Sequence, residues 1–365
     1  MMKKILCLLI IPLFLTGCYD YQELNNRAVI AGIAIDYKEE EFFVDLEILN
    51  NKKGNGQEEE ESDKTYYVEG YGSTLTEAFQ NCHLKLSKEP YYSHLKILII
   101  GEEVAQEKML DVLDYMIRDP SIRNIFLPVV AKGVDAKEIL ESVTTENPVV
   151  STSIQSMIEN NTANDSVSVI KDFESFLDTI IDPYQDAYIN TITKSEDTLK
   201  INGVAAFKGN NLQTILNLEE TIAFNTLNND STNYYVSMTC PNDEEKSITI
   251  NLYQNKGTGF EFNENGILVK SSLHAMIIED GCKFDFRKPE IYQKLNEEFA
   301  ALIKKDYQKV IDLLKRNKTD ILGINKAYYQ KYRQPLENWY EQNFSYEISV
   351  NINKNGLIFE VNEND

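Results

Sequence analysis

The first eighteen residues limit what the rest of this chain can become. Lys3 and Lys4 precede an apolar run from Ile5 to Leu15, broken only by Pro12, and Thr16-Gly17-Cys18 closes it. A basic start, an apolar core of about ten residues and small residues before a cut describe a secretory signal. A membrane-crossing helix needs roughly 20 apolar residues, and this run stops short of that. Residues 1–17 are therefore expected to be removed, and everything after them to fold as extracytoplasmic domains.

Leu15-Thr16-Gly17-Cys18 resembles the lipobox of bacterial lipoproteins. The resemblance implies that the Cys18 thiol receives a diacylglycerol and that the peptide bond before it is then cleaved. The plain alternative is an ordinary signal with an incidental cysteine. One acyl chain holds a protein only marginally and two hold it stably, because each buried methylene contributes about 0.8 kcal/mol. The remaining chain then needs no membrane affinity of its own.

The chain has 365 residues and a formal net charge of -22, and loss of Lys3 and Lys4 leaves it more acidic still. Nucleic acid is excluded as a partner, since phosphate binding needs clustered Lys and Arg. The acidity also argues against lying flat on an anionic leaflet, and it serves solubility instead. A hydrophobic content of 42% fills real cores, over a length suited to two or three domains. Cys7 leaves with the signal and Cys18 takes the lipid, so Cys82, Cys240 and Cys282 remain, with no C-x-x-C among them. An exported setting permits a disulfide, and Cys240 with Cys282 is the pair placed to share a domain. Three separate buried thiols is the favoured reading. With His83, His94 and His274 alone, no histidine-rich metal site and no cofactor is expected.

Val29 to Ile35 is apolar throughout, a buried strand ending at Asp36, and Phe42 to Ile48 alternates as its antiparallel neighbour. Asn51 to Lys64, with Glu58 to Glu61, reads as a solvated loop. After a short strand, Tyr66 to Gly70, Thr74-x-x-Glu77 forms a capping box for a helix that presents Leu75, Phe79, Cys82 and Leu86 on one face. Leu95 to Ile100 is a strand, Gly101-Glu102-Glu103 starts a helix through Ile117, Arg118-Asp119-Pro120 stops it, and Phe126 to Ala131 is a strand. This order predicts a mixed sheet with helices on one face. Short helices at 136–142 and 154–158, a polar stretch at 159–168, a helix over 169–181 and strands at 187–193 and 199–207 follow. Asn202-Gly203 marks a turn or bulge. The last third reads as strands at 234–238, 246–253, 259–262 and 267–278, then a long helix opened by Pro289. That helix is expected to present Ile291, Leu295, Phe299 and Leu302, extended by Val310, Leu313 and Leu314. A strand over 346–352 turns at Asn355-Gly356 into 357–361, a hairpin signal.

The expected division is a signal at 1–17, an N-terminal α+β domain at 18–134, a middle α+β domain at 135–218, and a C-terminal α+β domain at 219–365. No G-x-S-x-G elbow, Walker loop, H-E-x-x-H or dinucleotide fingerprint occurs. Glu102-Glu103 is read as a helix start, and His94 as a strand-edge histidine, with pH sensing or partner contact left open. On residue chemistry alone the chain is a binding or interaction protein and not an enzyme.

Pattern adds what composition withholds. After the lipobox, Cys18-Tyr-Asp20-x-x-Glu23-Leu-Asn25 leads into Ala28-Val-Ile-Ala-Gly-Ile-Ala-Ile-Asp36. Gly72-Ser-Thr-x-x-Glu77-Ala78, His94-x-Lys96, Gly101-Glu102, Arg118-Asp119, Gly203-Val-x-x-Phe207-Lys208, Thr319-Asp320-Ile-Leu-Gly323 and Trp339 follow in order. Together these resemble the Ger(x)C family, the lipoprotein C subunits of spore germinant receptors. Tyr19 departs from the tryptophan the family often carries, with an aromatic kept.

The resemblance implies a three-domain α+β lipoprotein, with mixed sheets and packed helices, on the outer face of the spore inner membrane. It implies assembly with an integral-membrane A subunit and a permease-like B subunit to which nutrient binding is attributed. No catalytic activity or cofactor comes with it, and small-molecule binding by this chain is left open. The motif residues Asp20, Glu23, Asp36, His94, Glu102, Arg118, Asp119, Gly203, Phe207, Asp320, Gly323 and Trp339 are its candidates for partner contact. The alternative, a solute-binding lipoprotein of a transporter, calls for two similar lobes, and no duplicated α/β pattern is visible. A cell-envelope hydrolase calls for a catalytic constellation that the sequence lacks.

Overall fold

Strand β1 (Arg27–Lys38) is buried from Ala28 to Asp36. A run apolar on both faces belongs at the centre of a sheet covered on both sides, and that is where it lies. The computed structural model describes residues 26–50, 64–142, 147–164, 166–196, 198–229, 233–241 and 243–353. Strands β2 (Glu41–Leu49) and β3 (Thr65–Gly72) pair antiparallel outward from β1. On its other side β4 (Glu89–Tyr91) and β5 (Ile97–Ile100) run parallel to β1. Strands β6 (Leu127–Ala131) and β7 (Tyr188–Ser195) continue that parallel set. Strands β8 (Thr198–Lys208) and β9 (Asn211–Leu216) close the nine-stranded sheet in antiparallel fashion. The expected boundary at 134/135 falls inside this sheet, between β6 and β7.

Helices cover both faces, which corrects the expectation of one. Helices α1 (Leu75–His83), α2 (Met109–Arg118) and α5 (Phe173–Ile180) bury Phe79, Val112, Met116 and Phe176 against Ile33, Ile35 and Val130. A π-helical turn, Val104–Lys108, leads into α2. Helices α3 (Ala136–Leu140) and α4 (Val150–Asn164) bury Ile139, Leu140, Ile154 and Ile158 on the opposite face, against Ala34, Ile97 and Val129. The sequence places a helix over 169–181, but α5 starts only at Phe173, because the Asp172 carboxylate accepts the Ser175 N–H at 2.8 Å and caps it there. The polar stretch at 159–168 is helical in its first part, since α4 runs on from the expected 154–158 to Asn164.

Helix α6 (Leu218–Leu227) joins the two halves, opened by a capping box between Asn217 and Glu220. The C-terminal sheet has the order β10 (Asn233–Cys240), β11 (Asp243–Asn263), β12 (Gly266–Asp280) and β13 (Phe344–Asn353), with β13 parallel to β12. The two strands expected at 246–253 and 259–262 are one strand, β11, whose ladder passes a register shift between Gln254 and Thr258. Helix α7 (Pro289–Asn317) lies on this sheet, burying Leu295, Phe299, Ile303, Val310 and Leu314 at helical spacing. Helix α8 (Ile324–Tyr332) follows. The expected hairpin at 355–356 and the loop 51–63 lie outside the described residues.

Cys240 and Cys282 form a disulfide, with their Cα atoms 5.4 Å apart, and Cys82 is a buried free thiol. This corrects the reading of three separate thiols. The β10–β11 and β11–β12 pairings bring the two cysteines to the same end of the sheet.

Candidate functional site

Three carboxylates on β1 and β2 point into the layer beneath α3 and α4. Asp36 accepts the N–H groups of Ala136 at 2.9 Å and Lys137 at 3.1 Å, capping α3 from a strand a hundred residues away. Glu47, fully buried, accepts the Val150 N–H at 2.7 Å, the Ser151 N–H at 3.0 Å and the Ser151 hydroxyl. Both carboxylates meet the positive ends of helices, where unpaired amides need acceptors. Among the described residues Asp45 has no partner nearer than the Lys137 ammonium, which it faces at 3.4 Å. Burial pushes its carboxyl up to about 7, against the pull of Lys137. Burial likewise raises the carboxyls of Asp36 and Glu47 above the ordinary range.

At the carboxyl ends of β1, β5 and β6 a crevice of about 230 Å³ is lined by Asp36, Lys38, Glu102, Glu103, Gly133 and Asp135. The Glu102 carboxylate accepts the Gly133 N–H at 3.3 Å, tying the loop after β5 to the loop after β6. Lys38 pairs with Asp135 across it. Beside it a groove of about 550 Å³ runs between α1 and α2, lined by Tyr37, Thr74, Lys108, Asp111, Arg118 and Asp119 among others. Arg118 binds both oxygens of Asp114 at 2.7 Å, and Asp119 accepts the Ser121 N–H and hydroxyl. The structure thus brings Asp36, Glu102, Arg118 and Asp119 to neighbouring depressions that share Tyr37.

The later motif residues gather elsewhere, at the joint between the two sheets. Asp320 accepts the N–H groups of Ile324 at 2.9 Å and Asn325 at 2.8 Å, and its own N–H donates to Asp186 at 2.7 Å. Asp186 also pairs with Lys208 at 2.9 Å. Two motif pieces more than a hundred residues apart are therefore tied through one aspartate. Lys326 pairs with Asp182 at 2.8 Å, and Tyr184 stacks on Tyr329 with centroids 4.0 Å apart. Burial pushes the Asp320 carboxyl up to about 7, against its two amide bonds. Gly323 holds the left-handed turn before α8. Gly203, at φ +109, sits in the β7–β8 bulge, where a Cβ would lie 1.9 Å from the Leu216 carbonyl oxygen.

Phe207 is buried against Phe176, and Trp339 packs edge-on to Phe344. His94 stands apart and exposed, its ring 5.8 Å from Tyr91. Cys18, Asp20 and Glu23 lie outside the described residues.

Sequence reasoning missed Asp45, Glu47 and Lys137. Phe42 to Ile48 reads as an alternating strand, a pattern with no sign that Asp45 and Glu47 are buried; the second helical layer, invisible locally, buries them. Asp186 and Lys326 carry no local signal either. Among the described residues no group of three or more His, Cys, Asp or Glu is placed to hold a metal ion, and no helix is long and apolar enough to cross a membrane. What the arrangement offers is two neighbouring depressions on rigid elements, lined largely by charged and polar side chains.

Two family models match end to end: the spore germination protein N-terminal domain over residues 20–194 and the spore germination B3/GerAC-like C-terminal domain over residues 202–356. The chain belongs to the Ger(x)C family, the C-subunit family of spore germinant receptors. It is 27% identical over 340 residues to YfkR of Bacillus subtilis (strain 168), covering 88% of each chain. It is 25% identical over 364 residues to spore germination protein KC of the same organism, covering 90% of this chain and 88% of the relative. The crystal structure of the GerBC protein has the same fold, at a TM-score of 0.52 and 18% identity, over 91% of this chain and 99% of that one.

Proposed function

We propose that this chain is the lipid-anchored subunit of a spore nutrient germinant receptor, acting by protein contacts. Acylated at Cys18, it sits on the outer face of the spore inner membrane and couples to integral-membrane A and B subunits. The observation that carries this reading is the pair of germination family models spanning residues 20–194 and 202–356. Supporting it are the lipobox at Leu15–Cys18 and the absence, among the described residues, of a helix fit to cross the membrane. The grooves that carry Asp36, Glu102, Arg118 and Asp119 are the first candidates for partner contact. The two sheets differ in strand number and order, unlike the matched lobes of a solute-binding lipoprotein.

Deletion is the test. Spores lacking the chain are expected to lose nutrient-triggered germination while non-nutrient triggers still work. A normal nutrient response, with no paralogue compensating, contradicts the proposal.

A further inference from the structure

We infer that the end of the nine-stranded sheet at which β1 begins rests on an anionic lipid surface. The inference rests on the acylation of Cys18 proposed above. From Cys18 to Arg27 the chain spans at most about 30 Å fully extended. The start of β1 therefore cannot leave the neighbourhood of the headgroups.

Several segments converge on that end. Arg27 pairs with Glu89 in β4, and its guanidinium lies 4.6 Å over the Tyr91 ring. Leu127 donates its N–H to the Lys96 carbonyl, and Glu174 donates its own to Asn124, so the segments before β5, β6 and α5 close together there. Helix α1 delivers residues 84–88 to the same end.

What these segments expose is unusual for an acidic chain. Leu84 is 76% exposed and Ile125 63%, with Ile170 at 60%. Between them stand exposed Lys85, Lys88 and Arg123 with half-buried Lys171, against exposed Glu89 and Glu174 and half-buried Asp119 and Asp172, in the segments 84–89, 119–125 and 170–174. Apolar tips flanked by basic side chains can enter a lipid interface, where Lys and Arg are drawn to an anionic surface, and the neighbouring carboxylates oppose that pull. The overall charge of -22 argues against membrane contact only for the molecule as a whole. An opposing term exists: the segment carrying Glu58 to Glu61 leaves and re-enters the sheet at this same end, at Asn50 and Lys64.

The test uses the mature, acylated full chain in vesicles. A fluorophore is placed at Ile125→Cys or, as a distant control, at Ile278→Cys, an exposed position on the C-terminal sheet; the buried Cys82 and the bonded pair stay unlabelled. Nitroxide lipid in vesicles containing about one third phosphatidylglycerol is expected to quench the label at position 125 roughly two-fold more than the one at 278. Lys88→Glu with Arg123→Glu is expected to abolish that difference while vesicle flotation is unchanged. A chain that floats with vesicles yet shows equal quenching at 125 and 278 overturns the lipid contact and leaves the anchor standing. A chain that does not float overturns the anchor; the contact then survives only if added protein is still quenched at 125. Burial of the label only when the A and B subunits are present assigns this end to those proteins and overturns the lipid reading.

Discussion

The two sheets hold their helices down by different means. In the nine-stranded sheet, short α3 and longer α4 are fastened by carboxylates that rise from β1 and β2 to their amino ends. In the C-terminal sheet, one 29-residue helix is held by an apolar stripe, and a disulfide pins the strands beneath it. A helix of five residues cannot persist on propensity, so α3 needs its cap. A long amphipathic helix needs no such device. Raised carboxyls in the first region, and Asp320 at the joint, couple stability to proton concentration, and the disulfide couples the second region to redox state.

The largest effect is expected in the C-terminal region. Opening the Cys240–Cys282 bond, which closes a 42-residue separation, costs about 4 kcal/mol in the chain-entropy account. Denaturant unfolding of Cys240→Ala with Cys282→Ala checks it, and protease protection of α4 should be unchanged. Glu47→Leu comes next. It leaves two amides and a hydroxyl buried without an acceptor, for a loss of about 3 kcal/mol, and hydrogen exchange should rise first in α4 and not in α7.

A smaller effect depends on pH. Unfolded aspartate titrates near 4, whereas Asp45 and Asp320 titrate at about 7 in the fold. Between those values the folded chain holds more protons than the unfolded one. The stability each group contributes is therefore complete below about pH 4 and is lost as pH rises through 7. Going from pH 8 to pH 6 should stabilise the protein by on the order of 1 kcal/mol per group, and Asp45→Asn should remove its share; an unchanged slope in that variant would refute the assignment. The smallest effect is Arg118→Ala. Its pair with Asp114 is exposed, and such pairs contribute little to stability. A strong germination defect with unchanged stability would mark Arg118 as a contact residue.

Local signals made part of this architecture legible. The apolar run of β1, the Thr74 cap of α1 and the stripe of α7 each carry their information within a few residues. Thr74 does accept the Glu77 N–H, although the Glu77 carboxylate reaches back to Ser73 and not to Thr74 itself. Helix α6 was not foreseen, because LEETIAFNTL shows no apolar stripe and is buried on several sides, including Thr221, Asn225 and Thr226. Its Asn225 donates to the Ser166 and Ser168 carbonyls, a partnership no local pattern announces. The disulfide depended on the register of β10, β11 and β12, and β11 looked like two strands because its ladder crosses a bulge. For the candidate site, the sequence shows Asp36 as a strand end, Glu102 as a helix start and Asp320 as a motif residue, and none of their partners. Asp36 caps a helix a hundred residues on and Glu102 ties a loop thirty-one residues on, while Asp320 caps the helix just after it and is tied to Asp186, 134 residues back.

The central claim is tested most directly by capturing the mature chain from spore inner membranes, then mapping its N-terminus and its crosslinks by mass spectrometry. The account predicts a diacylglyceryl group on Cys18 and crosslinks from the nine-stranded domain to both integral-membrane subunits. A chain recovered without acylation at Cys18 and without those neighbours would contradict it.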